Sequence, residues 1–329
     1  IFFIENIKNI YIKKKMKNIL VIGGAGYVGT PLCNYLVKNN YNVVCFDSFW
    51  FGNKLDSKVK IIKGDIRKGN FKFFKNIDVI INLAYLANDP LCEIDARGTW
   101  EIGPLSVYTT LEAAVKYKVK KYIFASSGSI YGLKKEKKVT EKLGLDPITD
   151  YNKSKMICEQ VLKSFSDRIK TVSLRPATVC GFSKRLRLDV VLNIFSYQAY
   201  FNKKITIFGG DQVRPLLHIK DMISAYEYFI KKNINGTFNV GFENVKISTI
   251  AKEVQKIIPC KIISLKSNDP RSYRMNSDKL IKSGFKPKYN FKDAIIDLKN
   301  SFNDGFKPSA ENWNLNWLIK KKVIIKSAK

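Results

Sequence analysis

The chain has 329 residues, 45% of them hydrophobic, and this length suits one large domain or two unequal ones with a sizeable core. Its formal net charge is +30, but the excess comes from lysines scattered along nearly every segment, which favours a solvated basic surface over a nucleic-acid interface. Asn or Lys interrupts every apolar run before the roughly 20 residues of a membrane span, so we expect none.

The predicted elements begin after Met16. Residues 1–16 lack the basic start and small-residue cleavage site of a secretory signal, and we expect them to be an unstructured extension, with Met16 as the natural start. The predicted strands are Ile19–Ile22, Asn42–Phe46, Val59–Lys63, Asp78–Asn82, Lys121–Ala125 and Thr171–Leu174. The predicted helices are Gly26–Lys38, Thr99–Tyr117 and Tyr151–Phe165. Strand and helix in alternation predict an α/β fold built on a doubly wound parallel sheet.

The second half of the chain loosens into loops rich in Gly, Pro and Arg, such as Gly181–Leu188 and Phe208–Leu217. We predict that 17–175 form the sheet domain. Residues 176–305 are predicted to be mainly a smaller substrate-binding domain, discontinuous, with some segments returning to the sheet. In the tail 306–329, two tryptophans one turn apart predict a packing helix.

The first predicted turn carries three glycines, in the stretch KNILVIGGAGYVG. Gly23 permits a tight turn out of the strand, Gly26 lets the backbone approach a pyrophosphate, and Gly29 lets the helix pack close to the sheet. Asp47 ends the next strand, where a carboxylate accepts from the adenosine ribose and repels a 2′-phosphate. The spacing therefore predicts a dinucleotide site that prefers NAD to NADP.

Asp65 follows the third predicted strand, in the stretch Gly64-Asp65-Ile66. Its side chain, or the next backbone group, could meet the adenine amine. A plain turn aspartate explains the residue equally well, and both interpretations stay open.

Tyr151 and Lys155 lie one turn apart on one face of a predicted helix. A phenol is nearly inert as a base at its ordinary pKa near 10, but a neighbouring ammonium favours the phenolate. A serine from the strand end at Ser126–Ser129 could hold the reacting oxygen. The pair therefore predicts proton transfer coupled to hydride transfer.

Six of the nine arginines fall after residue 170, and a guanidinium grips phosphate in a bidentate way. This concentration predicts a diphosphate-bearing substrate bound by the second half.

Together these residues resemble the extended short-chain dehydrogenase/reductases, in particular the NAD-dependent nucleotide-sugar epimerase/dehydratase group. The resemblance covers Lys17 to about Leu298. Its marks are the glycine turn, Asp47, Gly64–Ile66, Asn82–Ala84, the serine strand end with Tyr131–Gly132, Tyr151 with Lys155, Arg175–Pro176 and Gln212–Asp221. It implies a Rossmann-type sheet with a smaller C-terminal substrate-binding domain, NAD as cofactor, a nucleotide-diphosphate sugar as substrate, and a homodimer.

The resemblance also implies roles for individual residues. Ser127, four residues before the Tyr-Gly pair, matches the family's assisting Ser or Thr, and Tyr151 and Lys155 match its catalytic pair. The implied cofactor-binding residues are Gly23, Gly26, Tyr27, Val28, Gly29, Asp47, Asp65, Ile66, Leu83, Ala84, Tyr151 and Lys155. The predicted substrate-binding residues are Thr178, Arg185, Arg187, Arg214 and Arg271.

The chain departs from the family's pattern at several positions. Sugar 4,6-dehydratases carry an Asp-Glu pair directly after the assisting residue, because elimination of water needs an acid and a base. Here Gly128 and Ser129 stand there, which disfavours dehydration. Thr178 replaces an asparagine that often contacts the substrate, and Gly103 replaces a usual helix asparagine.

Three functions stay open at this point. A 4-epimerase that transiently oxidises one sugar carbon is favoured, because Asp47 indicates NAD. A nucleotide-4-keto-sugar reductase uses the same residues in one direction. A non-catalytic NAD- or RNA-binding protein is the third, although such members generally lose the Tyr and Lys pair.

The remaining chemistry-bearing residues indicate no metal site. The six cysteines lie far apart without a CxxC pair, which argues against metal ligation and disulfides and fits a reducing cytoplasm. The only histidine, His218, is predicted to be a structural hydrogen-bonding residue.

Overall fold

The computed structural model describes residues 16–87, 89–266, 272 and 274–322. Of the predicted extension 1–16, all but Met16 lies outside these residues. The strands are β1 (Asn18–Ile22), β2 (Asn42–Asp47), β3 (Lys60–Lys63), β4 (Val79–Asn82), β5 (Lys121–Ala125), β6 (Lys170–Pro176), β7 (Thr178–Cys180), β8 (Lys204–Phe208), β9 (Val213–His218), β10 (Gly236–Val240), β11 (Glu243–Lys246) and β12 (Lys261–Leu265). The α-helices are α1 (Gly29–Lys38), α2 (Asp89–Ile94), α3 (Ala96–Trp100), α4 (Ser106–Lys116), α5 (Asp150–Ser164), α6 (Val191–Asn202), α7 (Ile219–Lys231), α8 (Ile247–Ile257), α9 (Asp278–Lys282), α10 (Phe291–Asn303) and α11 (Asn314–Lys320).

The central sheet has seven parallel strands in the order β10-β6-β5-β4-β1-β2-β3. The strand order reverses between β1 and β4. Strands β2 and β3 lie on one side of β1, and β4, β5, β6 and β10 lie on the other. In sheets of this type, ligands bind at the carboxyl ends of the strands beside that reversal. The predicted doubly wound α/β fold is confirmed.

Two buried apolar clusters cover the two faces of this sheet. One joins strand residues such as Val21 to Leu32 and Leu36 of α1. The other joins strand residues such as Ile80 to helix residues of α4 and α5, among them Leu111. A parallel sheet with both faces covered needs apolar side chains on both, which explains the nearly continuous hydrophobic runs of β1 and β4.

The second half of the chain forms a three-stranded sheet, β11-β9-β7, and a two-stranded sheet, β12-β8. The prediction of a loop over Phe208–Leu217 is wrong, because β8 ends at Phe208 and β9 begins at Val213. A turn with two glycines at positive φ separates these strands, and the sequence signal of that turn hid them. Strand β10 returns to the central sheet and pairs with β6.

The predicted long helix Thr99–Tyr117 is broken. Helix α3 ends at Trp100, a π-type turn spans Glu101–Leu105, and α4 follows. Gly103 inside the turn has φ −82° and ψ −107°, outside the helical region. Pro104 explains the break, because a proline disfavours helical dihedrals at the preceding residue and supplies no N–H.

The tail contains helix α11 within the predicted segment 306–329. It packs on the first half of the molecule, where the Trp317 indole Nε1 donates to the Trp50 carbonyl at 2.8 Å. Among the residues described, no helix has the length and apolar character needed to cross a membrane.

Candidate active site

A cavity of about 540 Å³ opens at the carboxyl ends of the central strands, beside the reversal between β1 and β4. Residues of both halves of the chain line it. The predicted site residues among its lining are Gly23, Gly26, Tyr27, Val28, Gly29, Asp47, Asp65, Ile66, Leu83, Ala84, Ser127, Tyr151, Lys155, Thr178, Arg185, Arg187 and Arg214. The remaining predicted residue, Arg271, lies outside the described residues.

The glycine turn forms the floor of one end of the cavity. Gly23 has φ +76°, and a Cβ there would lie 2.6 Å from the Ala84 backbone nitrogen. A Cβ at Gly29 would lie 2.5 Å from the Gly23 carbonyl oxygen, so only glycine lets α1 start this close to the turn. Helix α1 therefore begins at Gly29 and not at Gly26 as predicted. Within the described chain no side chain caps it, and the positive end of the helix dipole favours an anion.

Asp47 lies at the end of β2, on the wall of the cavity. Its carboxylate accepts from the backbone N–H of Ala25 at 2.9 Å and of Phe49 at 2.7 Å. Burial raises the pKa of Asp47, while these donors and the charge of Arg185 lower it. Its position suits an acceptor for ribose hydroxyls.

Asp65 is held by its neighbour. Its carboxylate pairs with the Arg67 guanidinium at 2.6 Å and also accepts from the Arg67 backbone N–H. Hydrogen bonding from Arg67 lowers the pKa of Asp65. The geometry favours the turn-aspartate interpretation for the side chain, and both Asp65 and Ile66 line the cavity.

Three polar side chains meet at the other end of the cavity. Ser127 follows β5, and Tyr151 and Lys155 lie one turn apart on α5. The Ser127 side chain acts on the Tyr151 phenol and opposes the effect of burial on its pKa. The Lys155 ammonium donates to the Ala125 carbonyl at 2.6 Å and lies 5.8 Å from the centre of the Tyr151 ring.

Burial dominates the protonation of this group. It raises the pKa of the Tyr151 phenol above its ordinary value, against the opposing effect of Ser127. It lowers the pKa of Lys155 to about 7. The expected lowering of the phenol's pKa by the lysine is therefore outweighed in the ligand-free protein, and the lysine itself titrates near neutrality.

Tyr85 completes this end of the cavity and was missed in the sequence. The Lys155 ammonium lies 3.5 Å from the centre of its ring, and its hydroxyl donates to Ser154 Oγ at 2.6 Å. Its ring meets that of Tyr151 edge to face, with 5.6 Å between the ring centres. A Cβ at Gly103 would lie 2.5 Å from the Tyr85 hydroxyl, so the break at Gly103 provides the space for this tyrosine.

The positions of the dehydratase acid pair carry no acid. Ser129 Oγ donates to Asn152 Oδ1 at 2.5 Å and lies 2.7 Å from Ser127 Oγ. Two other carboxylates line the cavity, but both have partners. Asp89 accepts from Thr149 at 2.5 Å, and Asp189 pairs with Arg187 at 2.6 Å.

The predicted arginines occupy different parts of the cavity. Arg214, on β9, donates to the Val213 carbonyl at 3.2 Å. Arg187 is paired with Asp189, and its charge acts on both Tyr27 and Tyr151. Arg185 is at the Asp47 end, with its guanidinium carbon 3.7 Å from the centre of the Phe51 ring. The charge of Arg187 also acts on Arg185.

Two other predicted features are structural. His218 precedes α7, and its Nδ1 accepts from the Lys220 backbone N–H at 3.0 Å. Arg175 is buried in an ion pair with Glu159 at 2.6 Å and donates to the Tyr131 hydroxyl at 2.7 Å.

The tail residues of the cavity were also missed. Asn314 and Leu318 of α11 line it, and Asn314 Oδ1 accepts from Arg185 at 2.7 Å. The sequence predicts a packing helix in the tail but does not indicate which surface of the protein the helix covers. The spacing of Trp313 and Trp317 was the one signal of contact with the rest of the chain.

Several known proteins are similar to this chain in sequence and fold. The model of the NAD dependent epimerase/dehydratase family matches residues 19–241. A UDP-glucose 4-epimerase of Lactobacillus helveticus is 29% identical over 312 residues, which cover 84% of this chain and 94% of that protein. The dTDP-D-glucose 4,6-dehydratase of Homo sapiens is 24% identical over 328 residues, 90% of this chain and 92% of that protein. A solved UDP-glucuronic acid 4-epimerase from Bacillus cereus, in complex with UDP-glucuronic acid and NAD, superposes with a TM-score of 0.78 at 27% identity, covering 88% of this chain and 100% of that one.

Proposed function

Because the chain belongs to the NAD-dependent epimerase/dehydratase family, we propose that it is a nucleotide-sugar 4-epimerase that keeps its NAD bound. The single observation that carries the proposal is the cluster of Ser127, Tyr151 and Lys155 in the dinucleotide cavity, without an acid pair beside it. The cavity suits NAD: no described side chain caps α1 at its floor, Gly23 and Gly29 place no Cβ against the backbone packed there, and Asp47 lies at the ribose end.

The cofactor chemistry that NAD would supply when bound is reversible hydride transfer with the sugar carbon. Ser127 holds the oxygen of the reacting hydroxyl, and Tyr151 Oη takes its proton as the carbon is oxidised. Lys155 lies on the same wall and supplies the positive charge that stabilises the phenolate. When the ketone turns over, Tyr151 returns the proton as hydride adds to the opposite face.

The substrate in this proposal is a nucleotide-diphosphate sugar. Arg214 and Thr178 line the cavity from the second half of the chain and are proposed to hold the diphosphate, together with Arg271. Relatives and solved neighbours named for UDP-glucose and UDP-glucuronic acid support a UDP-sugar as the first substrate to test.

The decisive experiment incubates purified protein with UDP-glucose, UDP-glucuronic acid or dTDP-glucose and separates the products by chromatography. We expect the C4 epimer to form to equilibrium with NAD present in catalytic amount and no net NADH. Stoichiometric NADH consumption with a 4-keto sugar nucleotide would replace the proposal with a reductase. Tyr151→Phe is expected to abolish turnover and to leave NAD content unchanged.

A 4,6-dehydratase is the competing function within the family, because dehydratases are similar to this chain at comparable identity. We propose that dehydration is absent, since Gly128 and Ser129 provide neither acid nor base and the lining carboxylates Asp89 and Asp189 are engaged. A 4-keto-6-deoxy product from dTDP-glucose or UDP-glucose would contradict this. The homodimer stays a prediction, measurable by sedimentation equilibrium.

A further inference from the structure

Arg185 is a buried cation without a carboxylate partner. The residue is 2% exposed, and no described carboxylate lies within ion-pair distance of it. One Nη donates to Asn314 Oδ1 at 2.7 Å and the other to the Leu186 carbonyl at 3.2 Å. Its Nε has no hydrogen-bond partner among the described residues. A buried N–H without a partner and a buried charge without a counter-charge are both costly, and both indicate that an anion completes the site.

The neighbours of Arg185 place it at the cofactor end of the cavity. It lines the cavity, and its guanidinium carbon lies 3.7 Å from the centre of the ring of Phe51, four residues beyond β2. The charges of Arg187 and Asp189 act on it, followed by that of Asp47, the proposed ribose acceptor. The other buried arginine, Arg175, is neutralised by Glu159 and does not line the cavity.

Helix α11 fixes Arg185 in this position. Asn314 accepts from its guanidinium, and Trp317 donates to the backbone of the loop after β2. Just before the helix, Asn312 exchanges hydrogen bonds with the Arg185 loop: its side chain donates to Leu186 at 2.7 Å, and its carbonyl accepts from Leu188 at 2.8 Å. The tail thus joins the two loops that flank the cavity, and Leu318 forms part of its wall.

We propose that Arg185, held by Asn314, binds the diphosphate of the dinucleotide cofactor, and that the tail helix α11 is a wall of the cofactor site. This reassigns Arg185 from the substrate to the cofactor. The ligand is a nucleotide diphosphate, and the proposal rests on the proposed use of NAD but not on the sugar or on the direction of the reaction.

The first test replaces the neutral partner by a charged one. Asn314→Asp puts a carboxylate on the guanidinium and neutralises Arg185 without removing it. We expect the Kd for NAD, measured by equilibrium dialysis, to rise about tenfold or more, because a charge-assisted hydrogen bond is lost. The melting temperature in the absence of NAD should hold or rise, since a buried cation gains a partner. A purely structural role for Asn314 predicts no loss of NAD affinity.

The matched control is Asn300→Asp, which makes the same charge change at an exposed asparagine of α10. It should leave NAD affinity unchanged. An unchanged Kd for NAD in Asn314→Asp would overturn the proposal.

The second test removes the charge of Arg185 and compares the binding of NAD with the binding of its fragments. Arg185→Met should weaken binding of NAD, ADP-ribose and ADP about tenfold or more and leave adenosine binding nearly unchanged. Arg185→Lys, which keeps the charge without the fork, should recover part of the loss. If Arg185→Met instead weakens binding of UDP alone and spares NAD and ADP, Arg185 belongs to the substrate and the proposal is wrong.

These measurements separate the two proposals. Binding of NAD and its fragments is measured without turnover. A protein that binds NAD but epimerises no sugar would therefore contradict the proposed function and would not contradict this inference. Normal NAD affinity in Asn314→Asp and Arg185→Met, with active epimerisation, would do the reverse.

Discussion

The two ends of the cavity each hold one buried cation packed on an aromatic ring, and the two cations behave differently. At the catalytic end, the Lys155 ammonium lies 3.5 Å from the centre of the Tyr85 ring. At the ribose end, the Arg185 guanidinium lies 3.7 Å from that of Phe51. Burial lowers the pKa of Lys155 to about 7 but that of Arg185 only to about 10. Near neutrality, therefore, the lysine can exchange its proton and the arginine stays charged.

A third buried cation shows what the other two lack. Arg175 has a carboxylate partner, Glu159, at 2.6 Å, and its pKa is raised. A charge paired within the protein stabilises the fold and has no need of a ligand. Lys155 and Arg185 form no ion pair with a carboxylate among the described residues, and we infer that a bound ligand supplies the opposite charge.

Removal of the titrating cation, Lys155, should have the largest effect. Lys155→Met should lower turnover about 10²–10⁴-fold, because the charge that stabilises the Tyr151 phenolate is lost. The measurement is the initial rate of epimer formation with NAD at saturation. Lys153→Met, an exposed lysine on the same helix, is the control and should be as active as the natural chain. Equal activity of the two variants would remove Lys155 from the chemistry.

The next largest effect is expected when Arg175, the third cation, loses its carboxylate partner. Glu159→Gln should lower the free energy of unfolding by about 3 kcal/mol, because Arg175 is left buried without its counter-charge. Urea unfolding gives the value, and the Kd for NAD at a temperature where the protein is folded should not change. Glu112→Gln breaks the exposed pair with Arg168 and should cost less than about 1 kcal/mol. Equal costs would mean that burial does not distinguish these pairs.

The support of Lys155 is tested through Gly103. Gly103→Ala places a Cβ against the Tyr85 hydroxyl, and we expect displacement of the ring to lower turnover by about tenfold, roughly 1.4 kcal/mol. Adding Tyr85→Phe removes the closest contact, leaves ring carbons 3.0 and 3.1 Å from the new Cβ, and should restore part of the rate, which a general loss of stability would not allow. Failure of the second change to restore the rate would show that Gly103 acts by another route.

The smallest effect is a pH dependence of stability. The pKa of Lys155 is lowered in the fold from an ordinary value of 10.5 to about 7, so the unfolded chain binds more protons between these values. The stability of the natural chain should therefore rise with pH across this window, and the penalty for burying the charge is fully present below it. The melting temperature of Lys155→Met, relative to the natural chain, should be highest at pH 6 and fall by a few degrees towards pH 10. A difference independent of pH would mean that Lys155 titrates normally.

Local patterns predicted most of the fold. Strands β1 to β6 were predicted to within two residues at each end, and for β1 and β4 the reason is that parallel strands covered on both faces leave continuous apolar runs. The glycine turn was predictable because its backbone requirements, such as φ +76° at Gly23, exclude other residues. The break at Gly103–Pro104 was readable in principle, but the apolar periodicity on both sides concealed it.

Contacts between distant segments could not be predicted in this way. Tyr85 and Arg185 meet Gly103 and Asn314, respectively, only after the chain has folded, and neither pair has a sequence spacing that signals contact. The position of Arg185 beside Asp47 likewise depends on how the second half returns over the first. The residue types in the sequence indicated the chemistry of the site. The tertiary packing determines at which end of the cavity each charged side chain lies.

Strand β10 carries a consequence for how the protein is made. It pairs with β6 through Gly236–Val240, about sixty residues after β6 ends. During translation, the backbone groups on the outer edge of β6 therefore lack their β10 partners until residues 236–240 have been synthesised. An exposed edge strand recruits other chains, so a fragment cut at residue 175 should aggregate, whereas one that ends beyond 240 carries its own edge cover.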